Sequence, residues 1–194
     1  MTQLKNLPNL PQELQAMLED PNIIPPVETW NPQRIGEGDI TIRRDGVWLF
    51  KGEPMTREAT VQLFSRILIK EGNEYFLVTP VEKMRLQVEL YPFVIRLMDV
   101  QGEGEDQKLL FSTNAGDTFE VNAEHALRTE SLGTSADSAE ESLPVVTVRR
   151  NLDALVSRQV YYELANLVTA STKENVTDGE ERYGVWSCGS FFEL

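Results

Sequence analysis

Apolar and polar positions recur along this chain with two periods, and each change of period marks an element. In GDITIRR, Ile40 and Ile42 alternate with Thr41 and Arg43, the pattern of a half-buried strand. VWLFKGEP follows across Asp45-Gly46, a dipeptide favoured in tight type I′ turns because both residues tolerate positive φ, so a hairpin is predicted. MTREATVQLFSRILIK switches to helical spacing, with Val61, Phe64, Ile67 and Leu68 on one face and Gly72 as the stop. EYFLVTPVEKMRLQVEL reads as one long strand or as two bent at Pro80. PFVIRLMDV, QKLLFST and DTFEVN are strand-like runs. Glycines and acids between them suit turns, which predicts an antiparallel meander. RTESLGTSADSAEES is small, polar and acidic, and predicts a mobile surface loop.

The first 38 residues read as a separate arm. Six of the ten prolines lie from Pro8 to Pro32. Leu7, Leu10, Leu14, Met17 and Leu18 fall at helical spacing, so a short helix is predicted over about Pro11–Glu19. Pro21, Pro25 and Pro26 then impose an extended connector. Ile23, Ile24, Val27 and Trp30 either pin it to the body or dock on a partner.

The end of the chain echoes its beginning. Val146-Thr147-Val148-Arg149-Arg150 stands against Ile40-Thr41-Ile42-Arg43-Arg44. SRQVYYELANLV follows REATVQLFSRIL, placing Tyr161, Leu164, Leu167 and Val168 where the first has Val61, Phe64, Ile67 and Leu68. Tyr183, Val185, Trp186 and Ser187 then match Tyr75, Leu77, Val78 and Thr79. Three blocks in one order point to an α+β protein made of duplicated strand–strand–helix–strand units with an inserted antiparallel meander. The predicted organisation is an arm over 1–38, a first repeat domain over 39–88, and a second domain over 89–194 that holds the meander and the second repeat.

Charge narrows the partners. The 194 residues carry 31 acids against 18 bases, a net charge of −13. Nucleic acid and anionic membrane both attract cationic surfaces, so neither is expected as a partner. The single cysteine, Cys188, cannot form an intramolecular disulfide, the N-terminus lacks a signal-peptide core, and no apolar run approaches the roughly 20 residues that span a bilayer. A cytoplasmic protein is expected.

The strings RRDGVWLFKGEPMTRE, LVTPVEK, VRRNLDALVSRQVYYELANL and GVWSCGSFFEL, in that order from about Asp39 to Leu194, resemble a bacterial family of unknown function. The resemblance implies a two-part fold with duplicated motifs and a C-terminal half like a helix-capped pleckstrin-homology barrel. It also implies a small ligand, suggested to be nucleotide-based, at the interface of the halves, and a role in signal transduction. His125-Ala126-Leu127-Arg128 departs from the family pattern, with Ala126 where proline is expected. Fold analogy alone does not carry a phosphoinositide role here.

Arginine outnumbers lysine 12 to 6, and arginine is the residue that fixes phosphate or carboxylate through paired hydrogen bonds. Arg57 and Arg158 both fall near helix starts, where a cation is disfavoured unless it has a partner. With Arg149 and Lys83 they either converge on an anionic ligand or form structural ion pairs. Thr79 offers a hydroxyl, whereas Trp48, Tyr161, Tyr162 and Trp186 are core residues or a stacking wall. The candidate ligand-binding set is therefore Arg57, Thr79, Lys83, Arg149, Arg158, Trp186 and Ser187. Ser187 lacks nucleophile-elbow spacing. His125, the only histidine, would have to reach Ser187 or Cys188 across the fold, and one histidine with one cysteine makes no zinc site. No catalytic residue, metal or cofactor is assigned. The reading is a non-enzymatic module for a nucleotide-like or other anionic small molecule. A protein-interaction module using the arm and exposed sheet edges is the alternative, and a hydrolase the second alternative.

Overall fold

The computed structural model describes residues 25–132, 141–171 and 182–194. The predicted helix over Pro11–Glu19 lies outside them. Among the described residues the architecture is α+β and mostly strand: two mixed six-stranded sheets, one a half-barrel, a small three-stranded sheet and two helices. The chain divides into two compact units, the first ending at Leu90 and the second beginning at Tyr91.

In the first unit, β1 (Arg34–Ile42) and β2 (Trp48–Phe50) form the predicted hairpin, but its turn is not type I′. Gly46 alone takes positive φ (79°), and Arg43 N–H bonds Val47 O while Gly46 N–H bonds Arg43 O. Asp45 instead accepts Val47 N–H on its carboxylate, which suits the longer loop better than a left-handed backbone does. The two-residue turn comes one strand later. Lys51 (φ 52°) and Gly52 (φ 82°) join β2 to β3 (Glu53–Pro54).

Helix α1 (Glu58–Arg66) ends well before Gly72. Leu68–Glu71 is strand β4, paired with β5 (Glu74–Val78), and Gly72 sits in the turn between them. The helical spacing of Val61, Phe64, Ile67 and Leu68 ran on into a β-branched run whose partner, Tyr75-Phe76-Leu77, only tertiary pairing reveals. Leu63 and Phe64, with Ile67 just past the helix, carry its buried side. β5 and β6 (Glu82–Val88) are two strands folded back on each other about Pro80. β6 then pairs in parallel with β1, closing the order β3-β2-β1-β6-β5-β4. A register shift after Glu37 accompanies this pairing. Gly38 sits there, where a Cβ would lie 2.8 Å from Arg85 O, so no larger residue fits without movement.

The second unit opens with the predicted meander, β7 (Phe93–Gln101), β8 (Lys108–Thr113) and β9 (Thr118–Glu120). The expected mobile loop begins as a strand instead: β10 (Leu127–Leu132) pairs with β11 (Glu141–Arg149) in unbroken register. Residues 133–140 of that loop lie outside the described residues. β12 (Leu152–Val156) pairs antiparallel with β11 and parallel with β7, giving the order β10-β11-β12-β7-β8-β9. Helix α2 (Arg158–Ala165) follows, started by Ser157, whose hydroxyl accepts Val160 N–H. Val160 and Leu164 are its buried residues, while Tyr161 is 42% exposed, against its expected place on the buried face. β13 (Thr169–Ser171), β14 (Arg182–Ser187) and β15 (Ser190–Glu193) make the small sheet. Cys188 (φ 51°) and Gly189 (φ 70°) form its tight turn.

Candidate functional site

The seven candidate residues fall in both units. Arg57, Thr79 and Lys83 belong to the first, and Arg149, Arg158, Trp186 and Ser187 to the second.

In the first unit Thr79 and Lys83 share the β5–β6 hairpin. Thr79 is buried, and its hydroxyl donates to Glu82 O and accepts Val81 and Glu82 N–H, so it organises its own turn. Lys83 is only 12% exposed, pairs with Glu71, and lies 4.2 Å over the Phe76 ring. Those contacts place the ammonium between a carboxylate and a π-face. Arg57 holds the N-cap position of α1 with extended backbone but makes no side-chain cap. It is exposed and has no carboxylate partner among the described residues. An open groove of about 370 Å3 on this unit runs past Glu74, Tyr75, Arg85 and Glu89, and none of the three candidates lines it. Arg85 within it is held by Glu37 and Glu74.

In the second unit Arg149 pairs with Asp117 and lies 4.8 Å over the Phe93 ring. Asp117 is fixed by Thr113, which accepts its N–H and donates to its carboxylate. Ser187 is fully buried. Its hydroxyl donates to Val121 O at 2.6 Å and accepts Leu109 N–H at 3.0 Å. Trp186 is half-buried, packs edge-on against Phe191 at 5.2 Å, and accepts Gln107 Nε2–H on its backbone carbonyl. Arg158 differs from Arg149. It is exposed, donates from Nε to the Tyr162 hydroxyl at 3.2 Å, and lies 5.8 Å from that ring. No carboxylate pairs with it among the described residues. Tyr161 and Tyr162 stand beside it with centroids 6.3 Å apart, 42% and 56% exposed.

The most connected polar cluster among the described residues uses side chains that sequence reasoning passed over. On β10, Arg128 donates to Glu130 at 2.5 Å, to Asp153 at 2.8 Å and to Thr147 Oγ1 at 3.1 Å. Thr147 in turn donates to Asp153, and the Tyr91 hydroxyl donates to Glu130 at 2.6 Å. Burial, reinforced by the Glu130 carboxylate, pushes the Tyr91 phenol well above its ordinary range. Burial acts to lower the Arg128 pKa, but Asp153 and Glu130 together outweigh it and the net direction is upward. The available signal was the alternation of Arg128 and Glu130 across Thr129, hidden in a stretch polar enough to read as loop.

The nucleophile candidates are not assembled. His125 stacks on Phe119 at 4.5 Å, with Nδ1 against Thr147 O. Cys188 Sγ meets Glu120 at 3.4 Å. Phe119 and Glu120 are strand neighbours, which face opposite ways, so histidine and thiol are turned to different sides of β9. Glu120 is held below the usual carboxylate range by the Lys108 ammonium and then by Cys188. Lys108 is raised by the same carboxylate. Among the described residues no three His, Cys, Asp or Glu are grouped to hold a metal ion. No helix among them is long and apolar enough to cross a membrane.

The break at Leu90/Tyr91 coincides with a family boundary. Residues 25–90 match the N-terminal domain of a domain of unknown function, DUF1285, and residues 92–194 match the C-terminal domain of the same family. The chain belongs to the DUF1285 family. It is similar to a DUF1285 family protein of Silicibacter pomeroyi DSS-3 with a crystal structure, at 37% identity over 93% of each chain and a TM-score of 0.76. A DUF1285 protein of Shewanella baltica OS155 is similar at 26% identity, over 66% of this chain and 91% of that one, with a TM-score of 0.50. No curated protein matches. The bacterial family of unknown function that the motifs resemble is thus the DUF1285 family.

Proposed function

We propose that this DUF1285 protein is a non-catalytic module that binds a small anionic molecule, with nucleotides as the best-fitting class. One observation carries the reading. Lys83 and Arg149 are taken up by Glu71 and Asp117, yet Arg158 stands exposed with no carboxylate partner among the described residues of a chain with net charge −13. Arg158 lies against a pair of exposed tyrosines. A guanidinium suits phosphate, and an exposed aromatic pair suits a base. Arg57 supports the same reading at the start of α1. A module that binds without turning its ligand over fits the signalling role that the family resemblance implies.

The series strand, strand, helix, three strands recurs as β1-β2-α1-β4-β5-β6 and β11-β12-α2-β13-β14-β15, with only the two-residue β3 extra. That recurrence supports descent by duplication. The strand-rich second unit, with one α-helix among its described residues, is compatible with a barrel of pleckstrin-homology type.

A thermal-shift screen with adenine and guanine mono-, di- and triphosphates tests the reading. Ligand at a hundred times its dissociation constant should stabilise the protein by about 2.7 kcal/mol. Arg158→Ala and Tyr162→Ala should each remove the shift while leaving the ligand-free melting temperature within a degree or two. Absence of a shift with every nucleotide overturns it.

A further inference from the structure

Strand β7 outruns its neighbour. β12 pairs with it only over Phe93–Ile95, and the chain then leaves through Ser157, whose N–H bonds Ile95 O, into α2. β7 continues to Gln101, still paired with β8 on its other side. From Leu97 to Gln101 no strand lies on the β12 side among the described residues. Strand edges are normally short, covered or twisted away, since they are templates for another chain.

The hydrogen-bond parity of this edge follows from its neighbours. Leu109 donates its N–H to Ser187 Oγ and accepts Val121 N–H on its carbonyl, both away from β7. Val100, directly opposite Leu109, is therefore in a non-hydrogen-bonded pair, and so is Met98 opposite Phe111, two residues back. Met98 and Val100 consequently aim both N–H and C=O at the side where no described strand pairs with β7, the α2 helix being in contact with that strand. Leu97 (64% exposed) and Val100 (37%) add apolar surface beside them. Charge is one-sided at the far end of the edge. Asp99, Glu103, Glu105 and Asp106 are exposed and have no basic partner among the described residues.

We propose that the β7 edge is a strand-addition site for an extended segment of a partner protein, apolar at alternate positions and carrying lysine or arginine where it meets the β7–β8 turn. Two donors and two acceptors at strand spacing call for a chain in extended conformation rather than a compact ligand. The four acids fix the sign of its charge. This inference uses none of the residues assigned to the anion site, so either reading can fail alone.

A random dodecamer phage library panned on the full-length chain provides the probe. Enriched peptides should show apolar alternation and a basic end, and tightest binding at low salt. In the free protein the Met98 and Val100 amides should exchange at nearly unprotected rates, and a saturating enriched peptide should slow both at least tenfold. Val100→Pro removes one edge donor without touching a β7–β8 bond and should weaken that peptide at least tenfold. The double variant E103K/D106K, on the surface and harmless to packing, should weaken it severalfold and reduce its salt dependence. Protected Met98 and Val100 amides in the free monomer, no enriched peptide, or peptides that protect another strand each overturn the proposal. So does a concentration-dependent dimer that protects these amides, since a second copy would then be the occupant.

Discussion

The first unit and the later part of the second each end on a helix followed by three strands, and fasten those three strands in different ways. In the first, β4-β5-β6 joins the sheet of the β1–β2 hairpin through the parallel pairing of β6 with β1. In the second, β13-β14-β15 stays a separate sheet. It is tied to the meander by single bonds: Ser187 Oγ to Leu109 and Val121, Gln107 Nε2 to Trp186 O, and Cys188 N–H to Gln107 O. Thr79 and Ser187 each stand at the end of the middle strand of the three, yet one hydroxyl closes its own turn across three residues and the other reaches backbone 66 and 78 residues away. A backbone ladder spreads the attachment over many equivalent bonds. A buried hydroxyl concentrates it on one atom, so the second unit should be far more sensitive to point changes in its last strands.

The largest expected effect is at Gly184. A Cβ there would lie 2.2 Å from Phe192 O and 2.9 Å from Phe191 Cζ, so β14 and β15 must separate to admit it. Gly184→Ala is expected to cost about 4 kcal/mol or more, in the range reserved for severe steric conflict. In urea denaturation it should shift the midpoint further than Gly38→Ala, whose conflict with Arg85 O is milder. Equal shifts would mean that the small sheet is no more exacting than the large one.

Next comes the hydroxyl bridge itself. Ser187→Ala leaves Leu109 N–H and Val121 O buried without their partner, at a cost of about 1–3 kcal/mol for such a group. Thr79 is buried too, but its turn carries the exposed Val81, so water can reach the groups that Thr79→Ala frees, and about 1 kcal/mol is expected. Unfolding free energies of the two variants compare the two modes of attachment directly. A Thr79 effect as large as that of Ser187 would break the distinction.

What could be read from the chain divides along the same line. Elements held by local pattern were legible: the β1–β2 hairpin, the β7–β9 meander, and the helices α1 and α2. What depends on a distant partner was not. Ile67 and Leu68 continued a helical spacing until β5 claimed Leu68–Glu71 as a strand. Arg128-Thr129-Glu130 looked like loop because its two charged residues face Asp153, Thr147 and Tyr91, which are remote in sequence. Type I′ geometry went to Lys51-Gly52 and Cys188-Gly189 rather than Asp45-Gly46, because loop length is set by how the flanking strands register. Among the candidate site residues, the positions of Arg57 and Arg158 at helix starts were legible. That Lys83 and Arg149 are paired while these two are exposed was not, since each pairing partner comes from another part of its sheet.

The smallest effect separates the two helices. Ser157 caps α2 through its hydroxyl, whereas Arg57 occupies the same position on α1 with φ −90° and ψ 104° and caps nothing. That backbone is already right for a capping serine, and a cation at a helix N-terminus opposes the dipole. Arg57→Ser should therefore stabilise the protein by about 0.5–1 kcal/mol, measurable as a higher urea midpoint. Such a gain would agree with a role for Arg57 outside folding, as an anion-binding arginine would have, although suboptimal caps also arise without one. If Arg57→Ser destabilises instead, Arg57 makes a stabilising contact of its own, and the likeness between the two helix starts no longer supports a shared anion-binding role.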